Sequence, residues 1–153
     1  MTRQILLVTT ALTLVACAQQ PTYSPSRPTP SQALIADYAA DRRAAIAEMA
    51  TLAQSGAADR TSMGDAAFVT GVTDRLRRAA RDAETMRIKD VVIVDYKGGT
   101  IVCGQVNARS GLGGYDGFRR FAGTPAAVRL EQRTGLAGDD GVANAGIDDA
   151  CGR

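Results

Sequence analysis

The sequence predicts an α+β fold: N-terminal amphipathic helices packed on a small antiparallel sheet of three to four strands, stapled by one disulfide. Three observations predict it. Residues 32–84 carry apolar side chains mostly at three- and four-residue steps, the period of a helix face. Residues 88–131 change to β-branched runs separated by glycines. Of the three cysteines, two fall inside or after the strand region. A length of 153 residues allows one small domain, and 45% hydrophobic with 22% charged residues is the balance of an ordinary soluble domain. The chain contains no His, which removes Ser-His-Asp and Cys-His nucleophile systems, His-containing zinc sites and His general bases. A formal charge of +2 exerts no global pull on nucleic acid.

Residues 1–16 read as an export signal. Arg3 supplies the basic start, and the apolar run from Ile5 to Ala16 is too short to span a bilayer, which takes about 20 residues. Leu14-Val15-Ala16-Cys17 follows at once, and these residues resemble the lipobox of bacterial lipoproteins, position for position. The resemblance implies cleavage before Cys17, a diacylglyceryl group on its thiol, and acylation (palmitate or a similar chain) of the new amino terminus. Such anchoring is stable, because each buried CH₂ contributes roughly 0.8 kcal/mol. In well-studied Gram-negative bacteria an Asp after that Cys favours inner-membrane retention. Ala18 stands there, so the expected address is the outer membrane, facing the periplasm.

Residues 17–31 then form the lipidated Cys and a tether. Pro21, Pro25, Pro28 and Pro30 stand among Thr, Ser and Gln, a composition that favours extended polyproline II over a packed structure. The single folded domain is expected over 32–153. Its first helix is capped by Ser31, runs from about Gln32 to Gln54, and ends at Gly56. Leu34, Tyr38, Ala45, Met49 and Leu52, with Ile35 and Ile46, form its apolar stripe. The second helix starts at Ser62 or Asp65 and runs to Ala83, with Val69, Val72, Leu76, Ala79 and Ala83 as its stripe and a weak point at Gly71.

Val91 to Tyr96 and Thr100 to Val106, separated by Lys97-Gly98-Gly99, predict a hairpin. Gly117 to Ala122 and Ala126 to Leu130 add two further strands. Residues 132–153 are a Gly-, Ala- and Asp-rich tail with one short turn at Ile147 to Cys151.

With Cys17 assigned to lipid, Cys103 and Cys151 remain. An exported compartment oxidises paired thiols, so they are expected to form a structural bridge. A redox-active thiol or a metal ligand is the competing reading. Redox pairs usually have only two residues between the cysteines, and two thiols without His make a poor zinc site.

Half of the sixteen glycines lie between residues 98 and 123, and there Tyr115, Phe118 and Phe121 stand beside Arg109, Arg119 and Arg120. Cys103, Gly104, Val106, Asn107, Gly113, Gly114, Tyr115, Gly117, Phe118 and Phe121 resemble a pattern, CGxVNxxxxxGGYxGFxxF, of small exported proteobacterial proteins of unknown function. Cys151 matches the Cys that closes the pattern. The resemblance implies no activity. A phosphate loop fails on spacing, because Asp116 stands where a third Gly is needed. A nucleic-acid platform fits the aromatic and Arg interleaving but not the cellular address. Two readings stay open. Asn107, Arg109, Tyr115, Phe118, Arg119 and Arg120 form a binding surface, or the aromatics fill the core while the glycines make the turn.

Arg75, Arg77, Arg78 and Arg81 are spread around the second helix and read as solvated surface, with contact to anionic lipid as the other reading. Asp139, Asp140, Asp148 and Asp149 lack EF-hand spacing. No metal, cofactor or catalytic set is expected. The function expected is that of a lipid-anchored envelope protein, a non-enzymatic binding or structural module with an envelope-protein or cell-wall partner. The alternative is a small cell-wall-acting hydrolase using carboxylates.

Overall fold

The computed structural model describes residues 28–80, 82–109, 114, 115 and 117–152. The signal segment, Cys17 and most of the tether lie outside the described residues, as do residues 110–113 and Asp116 of the Gly-rich stretch. The element order is α1 (Pro30–Met63), α2 (Asp65–Ala79), β1 (Arg87–Tyr96), β2 (Gly99–Asn107), β3 (Arg119–Gly123), β4 (Val128–Leu130), α3 (Ala137–Ala143) and α4 (Ala145–Cys151). The expected α+β class is observed, with four antiparallel strands in the order β1-β2-β3-β4.

The cap of α1 is Thr29 rather than Ser31. Its hydroxyl accepts from the Gln32 N–H while Gln32 Oε1 accepts from the Thr29 N–H, a capping box with Pro30 at the first helical position. The helix does not stop at Gly56. It continues to Met63, and Gly64 at φ +81° ends it and separates it from α2. Helix α2 is unbroken through Gly71, whose missing side chain leaves room for Pro125, and it ends at Ala79, short of the expected Ala83.

The sheet lies between two helical layers. On one face Met49 and Ala53 of α1 and Ile147 and Ala150 of α4 pack on Tyr96, Ile101, Cys103 and Ala122. On the other face Phe68, Val72 and Leu76 of α2 pack on Val102, Val106 and Phe121, with Val128 and Leu130 beside them. The first turns of α1 project past this core. Leu34 and Ile35 are 71% and 68% exposed, so the expected stripe is buried only from Met49 onward.

The β1–β2 turn is tight because Lys97 and Gly98 both take positive φ (46° and 78°), the requirement of a two-residue type I′ hairpin. A bulge at Asp90 (φ 54°) interrupts β1 at the outer edge of the sheet. The tail holds two helices rather than one turn. Asp140 accepts from the Thr134 and Gly135 N–H groups at the start of α3. Asn144 exchanges two hydrogen bonds with the Gln132 backbone (2.7 and 2.9 Å), which pins the α3–α4 junction. Cys103 and Cys151 form the expected disulfide, with Cα atoms 5.8 Å apart across a separation of 48 residues.

Candidate functional site

The ends of β1 and β2 and the approach to β3 bring Arg109, Tyr115, Phe118 and Arg119 to one corner of the sheet. Arg109 and Tyr115 form an isolated antiparallel bridge, which closes the neck of the Gly-rich excursion. Tyr115 is 43% exposed, so it is not a core residue. Two guanidinium groups stand by its ring, Arg87 at 5.6 Å and Arg109 at 5.7 Å, and its hydroxyl donates to the Thr85 carbonyl at 3.4 Å. Phe118 is half-buried under Lys89, whose Nζ stands 4.4 Å from the ring centroid. Phe121 alone of the three aromatics is fully buried.

Beside Arg109 a cavity of about 190 Å³ opens between the end of α2 and the sheet. Its floor is apolar (Leu76, Met86, Val106, Leu130), and Arg109 and Arg119 stand at its rim. Arg119 is held there by its own bonds: Nε and Nη2 both donate to the Glu131 carbonyl, at 3.0 and 2.8 Å. Asn107 lies on the opposite face of β2 from Val106. Its buried Oδ1 has no hydrogen-bond partner among the described residues.

Arg120 sits elsewhere. Alternation along β3 turns it away from Arg119, to the α4 side, where Nη2 meets Glu131 Oε1 (3.1 Å) and Asp148 Oδ1 (2.7 Å). Its Nη1 also donates to the Gly152 carbonyl at 2.9 Å. This arginine ties β3 to the last helix. Lys89 stands in the same cross-strand row as Gln105 and Arg120 and covers Phe118, and Arg87 reaches Tyr115; neither stood out in the sequence. The only signal was their place before a strand whose register no sequence pattern specifies.

Two carboxylate clusters carry displaced ionisation. Burial by itself would push Glu131 up. The bonds it accepts from the Arg120 backbone N–H and from the Arg133 and Arg120 side chains outweigh that and hold it below the ordinary carboxylate range. Asp149 is held low by Lys97 and by the Tyr96 hydroxyl, while burial and Asp149 together push Tyr96 up. Both clusters fix the end of the chain to the sheet.

A folded-state value below the unfolded one means that Glu131 stabilises the fold fully above its ordinary range near about 4.3. That contribution is lost as pH falls through the lower folded value. The urea midpoint should therefore drop on acidification below about pH 4.3. In Glu131→Gln, the loss should already be present at pH 7 and the acid limb should be shallower. An unchanged acid limb in that variant would contradict the assignment.

Comparisons with protein-family models, with curated proteins and with solved structures find no match to this chain. No group of three or more metal-ligating side chains occurs among the described residues, and no described helix is long and apolar enough to cross a membrane.

Proposed function

We propose that this protein is a lipid-anchored component of the bacterial envelope whose folded domain is a non-enzymatic binding module. The observation that carries the binding reading is Tyr115. It is exposed with the Arg87 and Arg109 guanidinium groups 5.6 and 5.7 Å from its ring, Arg109 also lines an apolar cavity, and neither arginine has a carboxylate partner among the described residues. Tyr and Arg are the types enriched in interface hot spots, and an aromatic ring already oriented by flanking cations loses little freedom on contact. The lipobox resemblance at Leu14 to Cys17 and the Pro-rich residues after it support the anchor and tether, with outer-membrane sorting as its implied consequence. An envelope protein or cell-wall component is the proposed partner.

A carboxylate hydrolase has less to draw on. Its general acid needs an upward-displaced carboxyl, whereas Asp65, Glu131, Asp140 and Asp149 are all held low.

One set of whole-cell measurements tests the proposal. Labelled fatty acid should enter the wild-type chain and not Cys17→Ala; label persisting in that variant would sink the anchor. A photoreactive amino acid at position 115 should give a discrete adduct that Arg87→Ala/Arg109→Ala weakens. The same adduct from exposed Ser62, or none from position 115, would sink the binding face.

A further inference from the structure

The two outer edges of the sheet are built differently. Edge strand β1 is interrupted by the Asp90 bulge and lined by Lys89, Asp90, Asp95 and Lys97, devices that keep other strands from pairing with it. Edge strand β4 has no bulge. The Thr124 N–H bonds the Ala127 carbonyl, and the Glu131 N–H bonds the Arg120 carbonyl, both at 2.8 Å. Those bonds fix the alternation along β4. Arg129 turns its backbone groups to β3, and Val128 and Leu130 turn theirs outward. Two N–H donors and two carbonyl acceptors therefore face the open side, where the sheet order leaves no neighbouring strand among the described residues.

Clefts flank this edge on both faces of the sheet. Towards α1 lies one of about 420 Å³, with Met49, Leu52, Ala127 and Ala143 in its lining. Towards α2 lies one of about 280 Å³, with Arg75, Leu76, Ala79, Val128 and Leu130. Ala127 and Arg129 line both, so the clefts meet at β4. An extended chain laid along the edge would satisfy the outward groups and send alternate side chains into the two clefts.

We propose that the open edge of β4 is a strand-addition site for an extended, acidic peptide segment of a partner protein. Charge selects the occupant. Arg75 borders the α2-side cleft and Arg78 follows one turn later, and neither has a carboxylate partner among the described residues. Arg129 has one, Glu48. The local excess is positive.

Two other occupants fit poorly. In a symmetric pair of copies joined through the outward groups of Val128 and Leu130, Arg129 would stand directly opposite its own counterpart. Like charges opposed across strands are destabilising. The chain's own tether cannot serve either, because Pro21, Pro25 and Pro28 each lack the N–H that a ladder needs. The α2-side cleft shares Leu76, Ala79 and Leu130 with the cavity lined by Arg109, but Arg87, Arg109 and Tyr115 take no part in the edge, so Arg87→Ala/Arg109→Ala should leave binding of the Val-Glu peptide unchanged.

The test uses the full chain in detergent and labelled peptides of about ten residues, one alternating Val with Glu and one alternating Val with Lys. Fluorescence anisotropy should show the Val-Glu peptide binding at least about tenfold more tightly than the Val-Lys peptide, with affinity falling as salt rises. Hydrogen exchange at the Val128 and Leu130 amides should slow when it binds. Leu130→Pro, which removes one outward donor, should weaken binding by about tenfold or more. Arg75→Glu/Arg78→Glu, on the solvent side of α2, should do the same with an unchanged circular dichroism spectrum. Absence of saturable binding by the Val-Glu peptide, or binding that leaves both amides unprotected, would overturn the proposal. So would a dimer in light scattering that the peptide dissociates, since that would assign the edge to a second copy.

Discussion

Replacing Cys103 and Cys151 together by alanine is expected to lower the unfolding free energy by about 4 kcal/mol, read from urea denaturation without reductant. The figure follows from the loop that the bond closes, 48 residues in sequence, whose closure entropy the unfolded chain no longer loses in advance. The native side of the balance points the same way. Cys103 is 3% exposed in the cluster of Met49, Ala53, Ile101 and Ile147, so the thiol ends also vacate a packed site. The loss should not be uniform along the chain. Residues 137–152 meet the sheet through the disulfide, the Arg120–Asp148 pair and the Tyr96–Asp149 hydrogen bond, and the first of these is covalent. Hydrogen exchange in α3 and α4 should therefore quicken before that of β2 and β3. A variant as stable as the wild type, or one loosened equally everywhere, would contradict this account of the bond as a staple for the tail.

The parts of the fold that were legible in sequence are those set by local periodicity. The runs around Ile93 and Ile101, with Lys97-Gly98 between them, specify a hairpin because β-branched side chains and positive-φ turn positions act over a few residues. The tail was not legible. Its short helices contain Gly138, Gly141 and Gly146, residues that weaken a helix in isolation, and they form because Asp140 and Asn144 hold their ends and Ile147 finds a core. The candidate site divides in the same way. Arg109 and Tyr115 stood close in sequence and are bridged in space, and Arg119 joins Arg109 in the lining of the cavity. Arg87 and Lys89 reached Tyr115 and Phe118 only through strand register, which sets Lys89, Gln105 and Arg120 in one row across the sheet while alternation turns Arg119 to the cavity side.

Gly99→Val is expected to cost more than about 3 kcal/mol, or to abolish folding, because the strain exceeds ordinary overpacking. The sequence suggested that Gly56 ends a helix and Gly99 belongs to a turn; α1 in fact runs through Gly56 and Gly99 opens β2, and both glycines serve a close contact. A Cβ on Gly99 would lie 2.2 Å from the Ala53 carbonyl group and 2.4 Å from the Gln54 nitrogen. These are backbone atoms in the middle of α1, so no rotamer change relieves the overlap; the helix itself must lift off the sheet. Gly56 meets the same surface from the other side, its Cβ position 2.1 Å from the Thr100 carbonyl oxygen. The two glycines thus let α1 lie directly against the start of β2, at the centre of the layer that also holds Met49 and Ile101. This explains why a helix tolerates Gly56, although Gly costs about 1 kcal/mol relative to Ala in a helix interior. Gly138 supplies the contrast: nothing among the described residues lies within 4 Å of its Cβ position, and Gly138→Ala should be neutral or stabilise α3 by about 0.5 kcal/mol. Urea midpoints for the two variants should move in opposite directions or by very different amounts. If Gly99→Val unfolded at the wild-type midpoint, α1 could not be seated on the sheet through this contact.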